Sequence, residues 1–176
     1  MKTENKVVWA ADPAHSEISF KVKHMMISTV TGYFENFTAT VESDGENFNN
    51  ADIRVDIDVP SIRTKSEDRD THLKSEDFFH ADAFPKMTFR STSFDGEKLT
   101  GELNIRGRSK EIHLDVVSNG IAVDPYGQTK AGFEITGEIH RKEFGLMWDV
   151  VTEAGSIVVS DKVKLAIEVQ FIRQND

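Results

Sequence analysis

Apolar and polar residues alternate along most of this chain with a period of two, the spacing of a strand that buries one face. Four stretches show it most clearly. Ile18, Phe20 and Val22 alternate with Ser19, Lys21 and Lys23, and Ile53, Val55, Ile57 and Val59 with Arg54, Asp56 and Asp58. Leu99, Gly101, Leu103 and Ile105 alternate with Thr100, Glu102, Asn104 and Arg106, and Val163, Leu165, Ile167, Val169 and Phe171 with Lys164, Ala166, Glu168 and Gln170. A less regular form of the pattern predicts strands over 33–42, 87–94, 110–117, 131–139 and 156–159. Turn chemistry falls at Asp44-Gly45, Asp95-Gly96, Arg106-Gly107, Asn119-Gly120 and Pro125-Tyr126-Gly127. About eight strands with short connections predict an all-β chain, an antiparallel sheet that closes on itself or folds into a sandwich.

Residues 64–85, TKSEDRDTHLKSEDFFHADAFP, break the alternation. Thr64-Lys65-Ser66-Glu67 matches a capping box, in which the threonine oxygen accepts an N–H one turn on and the glutamate reaches back. A short helix is predicted over 65–74, with Asp68 near its start and Lys74 near its end to suit the helix dipole. Arg69 and His72, three apart, share a face, and Leu73 is placed to anchor the helix on apolar strands. Phe78, Phe79 and Phe84 follow before Pro85 stops any further helix. The insert reads as a flap laid on a β-barrel.

Composition narrows the chemistry. At 176 residues the chain is most simply one domain. It has no cysteine, which excludes disulfides, thiolate metal sites and a thiol nucleophile. A net charge of −9 opposes nucleic acid and an anionic membrane as partners. No window approaches the roughly 18 apolar residues of a membrane span, so no stable membrane insertion is expected. The short apolar run Val7 to Ala11 is too brief for a signal-peptide core and meets Asp12 and Pro13 at once, which points to the cytoplasm, or to a periplasmic protein in its mature form.

The six histidines, at 15, 24, 72, 80, 113 and 140, offer no HxH, HExxH or HxxxH spacing, and there is no Gly-x-Ser-x-Gly elbow or glycine-rich phosphate loop. No metal, cofactor or catalytic residue is predicted. Two strand ends stand out. His24 continues the buried parity of Ile18, Phe20 and Val22, and Arg141 that of Phe133, Ile135, Gly137 and Ile139. A polar residue at the end of an apolar face suits the mouth of a cavity. It equally suits a strand end whose side chain simply reaches solvent or a carboxylate.

The segment WAADPAHSEISFKVKHMMISTVTGYFENF (9–37), with Trp9, Asp12, His15-Ser16, Phe20, His24, Gly32 and Phe34, resembles the opening signature of the YceI-like polyisoprenoid-binding proteins. SIRTKSEDRDTHLKSEDFFHADAFPKMTF (61–89) is similar to that family's most specific motif, and GELNIRGRSKEIHLDV (101–116) and HRKEFGLMWD (140–149) to its later segments. Arg108-Ser109 departs from the small or β-branched pair usual there. The resemblance implies an extended eight-stranded antiparallel barrel of lipocalin-like shape, with an apolar tunnel for a long-chain isoprenoid or fatty amphiphile and the flap closed over it. It also implies a homodimer by analogy, and export of many relatives to the periplasm.

On this reading Ile18, Phe20, Val22, Leu73, Phe78, Phe79, Phe84 and Phe89 are candidate tunnel wall, and His24, Arg69, His72 and Arg141 are candidates for the lipid head. A diphosphate head would call for the bidentate fork of Arg69 or Arg141, whereas a quinone or fatty amide needs only a donor such as His24 or His72. The main expectation is a non-enzymatic carrier or store. The alternatives are a lipid-modifying enzyme using His24 or His72 as acid-base, and a structural stress protein whose barrel is filled by its own side chains.

Overall fold

The computed structural model describes residues 6–149 and 159–174. Among the described residues eleven strands form one antiparallel sheet: β1 (Lys6–Ala11), β2 (Glu17–His24), β3 (Ser28–Phe34), β4 (Phe37–Asp44), β5 (Asn47–Asp58), β6 (Ile62–Arg63), β7 (Lys86–Phe94), β8 (Lys98–Ile105), β9 (Arg108–Val123), β10 (Thr129–His140) and β11 (Val159–Arg173). β1 pairs with β11 through Ala10↔Ile172, which closes the sheet into a barrel.

The barrel has eight staves because three of them are strands broken by a corner. β1 and β2 both run along β11, and they pair with β4 and β3 respectively. Between them Asp12 accepts from the Ala14 N–H (3.0 Å) and Pro13 opens a single 3₁₀ turn. The ladder is maintained across the gap by side chain and main chain together. Asp12 N–H donates to the Gln170 carbonyl (2.8 Å), and Ser16 Oγ accepts from the Gln170 N–H (3.1 Å). β3 and β4 are likewise one stave bent at 35–36, and β5 and β6 one stave bent at Val59–Ser61. Ser61 holds these two corners together, donating to the Asp58 carbonyl (2.6 Å) and accepting from the Asn36 N–H (3.0 Å). The three composite staves and the five single strands β7 to β11 follow one another around the wall in chain order, so every neighbour is a sequence neighbour and only the β11–β1 seam is long-range.

The predicted strands are present with altered bounds. The expected 33–42 strand is bent at 35–36, and 110–117 lengthens to Arg108–Val123. Residues 156–158 of the predicted 156–159 strand lie outside the described residues, and Val159 opens β11. Arg106-Gly107 is a two-residue hairpin turn with both φ angles positive (52° and 74°), the geometry that matches strand twist. Asn119-Gly120, expected as a turn, is instead a bulge within β9. Pairing to β10 continues on both sides of it, Gly120 sits at φ 94°, and the register steps from Gly120↔Gly132 to Ser118↔Phe133.

The helix is also corrected. α1 spans Glu67–Lys74, and Ser66, not Thr64, is its N-cap, accepting from the Arg69 N–H (3.2 Å). Thr64 is taken by a stronger partner. Buried Asp70 accepts from its hydroxyl (2.6 Å) and from its N–H (2.8 Å), so the chain cannot turn into the helix until two residues later.

Candidate ligand cavity

Inward-facing residues of the staves enclose an apolar cavity of about 190 Å³. Its wall is built by the period-two faces: Ile18, Phe20 and Val22 of β2, Ile53, Val55 and Ile57 of β5, Leu99, Leu103 and Ile105 of β8, and Val163, Leu165, Ile167, Val169 and Phe171 of β11. Among the described residues only two polar ones line it, Ser19 and Arg141. Ser19 donates its hydroxyl to the Ala166 carbonyl (2.9 Å). Two glycines shape the wall. A Cβ on Gly32 would lie 2.3 Å from the Phe20 ring, and one on Gly101 would lie 2.3 Å from the Phe89 ring, so each glycine lets an aromatic ring lie flat against the sheet.

One end of the barrel is plugged by its own aromatic side chains. Trp9 is fully buried and donates Nε1–H to Ser43 Oγ (2.8 Å), which passes a bond to the Gly45 carbonyl (2.8 Å). Phe48 packs between Trp9 (5.2 Å) and Phe133 (5.1 Å), and Phe133 packs on Phe171 (6.1 Å). Outside this plug Lys130 bridges Asp12 (3.2 Å) and Asp124 (3.5 Å). The hydrogen bond from His15, with Lys130 beside it, holds the Asp12 carboxyl below its ordinary range against the opposing effect of burial.

The opposite end carries the flap, the β2–β3 and β8–β9 hairpins and the segment after β10. Arg106 staples three of these parts, its Nη1 donating to the carbonyls of Phe78 (3.0 Å) in the flap and Gly145 (3.2 Å). Phe79 meets Phe34 edge-on at 5.8 Å, and Phe78 packs on Trp148 at 5.2 Å. Leu73, Phe78 and Phe79 thereby roof the cavity.

Of the candidate wall residues, Ile18, Phe20, Val22, Leu73, Phe78, Phe79 and Phe89 line the cavity. Phe84 does not. Half-buried, it packs on Gly107 and edge-on to His80 at 5.8 Å. The polar candidates are dispersed. His24 is exposed at the end of β2, outside the wall. His72 shares a hydrogen bond with Asp77 (2.8 Å) and stands edge-on between Phe78 and Trp148, again outside the wall. Arg69 spends its Nε on Thr64 Oγ1 (2.9 Å) as part of the Asp70 cluster.

Arg141 does reach the cavity, buried to 4 % exposure, but its fork is occupied. Nε donates to Ser160 (2.9 Å), Nη1 to Leu146 (2.6 Å) and Trp148 (2.8 Å), and Nη2 to Val159 (3.1 Å), in each case to a main-chain carbonyl. Burial lowers its pKa from the ordinary arginine value, while Asp149 and Asp161 act to raise it. It is a staple between the segment after β10 and the start of β11. The sequence reading passed over Arg106 and Leu146. Leu146 lies beyond the alternating strand pattern, and Arg106 has main-chain carbonyls for partners, which leave no mark on residue type.

The YceI-like domain family matches residues 9–171. The chain belongs to the YceI-like family. A UPF0312 protein of Staphylococcus aureus (strain USA300) is 38% identical over 161 residues, 91% of this chain and 94% of that protein. Among solved structures, a YCEI protein of Campylobacter jejuni superposes with a TM-score of 0.70 at 34% identity, covering 88% of this chain and 90% of its own. Burkholderia cenocepacia BcnA superposes with a TM-score of 0.75 at 24% identity, over 91% and 98% of the two chains. A polyisoprenoid-binding domain of Saccharophagus degradans superposes with a TM-score of 0.65 at 14% identity, over 98% and 100%, a likeness of fold. The closed barrel is thus a fold shared with a solved YceI-like relative. Trp9, Asp12 and Ser16 of the opening motif supply the plug and the β1–β2 corner, and Arg69 and Asp70 of the second motif tie the helix of the flap to its first residue, Thr64.

Proposed function

We propose that this protein binds and carries a long-chain isoprenoid lipid without transforming it, the tail in the barrel and the head towards the flap end. The observation that carries this reading is the cavity wall, apolar apart from Ser19 and Arg141, whose donors are engaged by main-chain carbonyls. Each isoprene unit of five carbons contributes about 4 kcal/mol on burial at ~0.8 kcal/mol per carbon. Two units offset the lower part of an association cost of about 4–15 kcal/mol, and about four units offset all of it. With the Arg141 fork occupied, an uncharged head such as a quinone fits the interior better than a diphosphate. The polyisoprenoid recognised by the Saccharophagus degradans domain is the same class of ligand.

The test is organic-solvent extraction of the purified protein followed by mass spectrometry, then add-back of a polyprenyl quinone and a polyprenyl diphosphate of equal length. A co-purified polyprenyl species, and add-back binding of the quinone at least as tight as of the diphosphate, is the expected result. An empty extract with no add-back binding would favour a ligand-free structural barrel. A product accumulating during incubation would establish an enzyme.

A further inference from the structure

The β2–β3 hairpin ends in three consecutive large apolar residues that are exposed. Met25, Met26 and Ile27 are 39 %, 63 % and 82 % exposed. Met25 and Met26 moreover occupy left-handed backbone, with φ of 53° and 59°, a conformation that favours glycine or asparagine. A turn of this shape is better served by polar residues, so bulky apolar side chains here run against both solvation and local conformation. Met147, 59 % exposed, lies at the same end of the barrel. It directly follows Leu146, which lines the cavity and whose carbonyl is bound by Arg141. Hydrogen bonds join the two places: Lys23 N–H donates to Ser160 Oγ, and Arg141 Nε donates to the Ser160 carbonyl.

Lysines outnumber carboxylates on the strands beside this tip, where Glu138 and Asp161 are the acidic neighbours. Lys21 and Lys23 lie on the outward face of β2, and Lys162 and Lys164 on that of β11. Lys21 stands directly opposite Lys164, a like-charge cross-strand pair, and Glu138 stands opposite Lys164 on the other side, so an added anion would chiefly relieve the Lys21 side. Among the described residues Lys21, Lys23 and Lys164 have no carboxylate partner, whereas Lys162 lies 3.8 Å from Glu138. The chain as a whole is acidic, at −9, but charges are screened over about 8 Å at physiological salt, so the local lysines govern what this edge meets.

We propose that the Met25-Met26-Ile27 tip, with Met147 and the lysines of β2 and β11, docks the flap end of the barrel onto an anionic lipid bilayer, where the tail-binding cavity is loaded and emptied. Apolar tip residues enter the acyl boundary while lysines engage the head groups, the arrangement of an interfacial anchor. β2 makes the surface continuous with the cavity, since Val22 lines the wall two residues before His24 and the tip follows at once. The proposal rests on the lipid-carrier reading above, and its test keeps the two apart.

Full-length protein is floated with phosphatidylcholine vesicles containing phosphatidylglycerol, and with phosphatidylcholine alone. In parallel, retention of a polyprenyl quinone added from detergent reports the cavity without any bilayer. Flotation is expected with the anionic vesicles only, falling as salt rises. The double substitution Met26→Asn, Ile27→Asp should reduce it about tenfold or more. Asparagine suits the left-handed backbone at 26, so the hairpin is kept. Lys21→Gln with Lys164→Gln should flatten the salt dependence. All variants should retain the quinone. Wild-type protein that holds quinone but does not float overturns the docking surface, as does a tip that instead mediates self-association, seen as a dimer dispersed by Ile27→Asp. Flotation without quinone retention leaves the bilayer contact standing and overturns its role in loading.

Discussion

The two ends of the barrel are closed by different physics. At the Trp9 end the staves' own inward aromatics, Trp9, Phe48, Phe133 and Phe171, interlock, and the one buried polar hydrogen among them is passed through Ser43 to Gly45. At the flap end no stave supplies a plug. Closure is borrowed from the insert and from the segment after β10, and it is held by side chains that reach main-chain carbonyls: Arg106 on Phe78 and Gly145, Arg141 on Leu146, Trp148, Ser160 and Val159. Interlocked aromatic packing cannot open without opening the barrel. A roof attached by a few discrete bonds can lift while the wall stays closed, so under the proposed carrier function ligand exchange falls to the flap end.

The largest effects come from striking each closure at its centre. Trp9→Ala should cost about 3–5 kcal/mol in chemical denaturation. Arg141→Met should cost a comparable amount, about 3–5 kcal/mol, by leaving carbonyls unpartnered. The two should separate in the bound lipid. Arg141→Met is expected to release ligand at denaturant concentrations where the barrel is still folded, whereas Trp9→Ala should lose ligand only as it unfolds. Coincident loss in both would erase the distinction between the ends.

A smaller effect is expected from the cavity wall. Gly32→Ala puts a methyl where the Phe20 ring lies, costing about 1–3 kcal/mol and forcing the ring inward, so the extracted tail should shorten. Gly132→Ala, whose new Cβ would find only Asn119 Cβ at 3.6 Å, should leave both melting temperature and tail length nearly unchanged. Amide exchange sharpens the comparison further. In delipidated protein residues 64–85 should exchange faster than the 51–58 and 162–171 strands, and added polyprenyl quinone should slow the flap selectively. Uniform slowing would mean that ligand tightens the whole barrel.

The smallest effect lies outside the Trp9 plug. The folded-state pKa of Asp12 is lowered by His15 and Lys130, so its contribution to stability is present above the ordinary carboxylate range and is lost as pH falls through the lowered value. Asp12→Asn should flatten the acid limb of the stability–pH curve while leaving lipid retention intact. An unchanged acid limb would show that Asp12 acts only through its corner bond to Ala14.

Alternation gave away the staves because side-chain parity is a local property of extended backbone, the same wherever a strand lies. The wall residues Ile18, Phe20, Val22 and Phe89 follow from it. The flap was legible for the complementary reason, as charges and phenylalanines that fit no strand period. The start of its helix was not, because the choice between Thr64 and Ser66 depended on Asp70 claiming the threonine first. Asn119-Gly120 carries the chemistry of a turn and serves as a bulge, since pairing partners on β10 extend past it.

By itself, then, the sequence determined most of the strands, though not β1 or the first part of β3, together with the inward faces, the place of the insert and, through its motifs, membership of the YceI-like family. Tertiary structure decided what the polar residues do. Arg141, read as a hand for a diphosphate, binds carbonyls of residues 146, 148, 159 and 160. His24 and His72, expected near the lipid head, lie outside the cavity lining. The physical reason is that an arginine's partners here are main-chain oxygens, chemically identical at every position. Which of them a side chain meets depends only on how the chain returns through space.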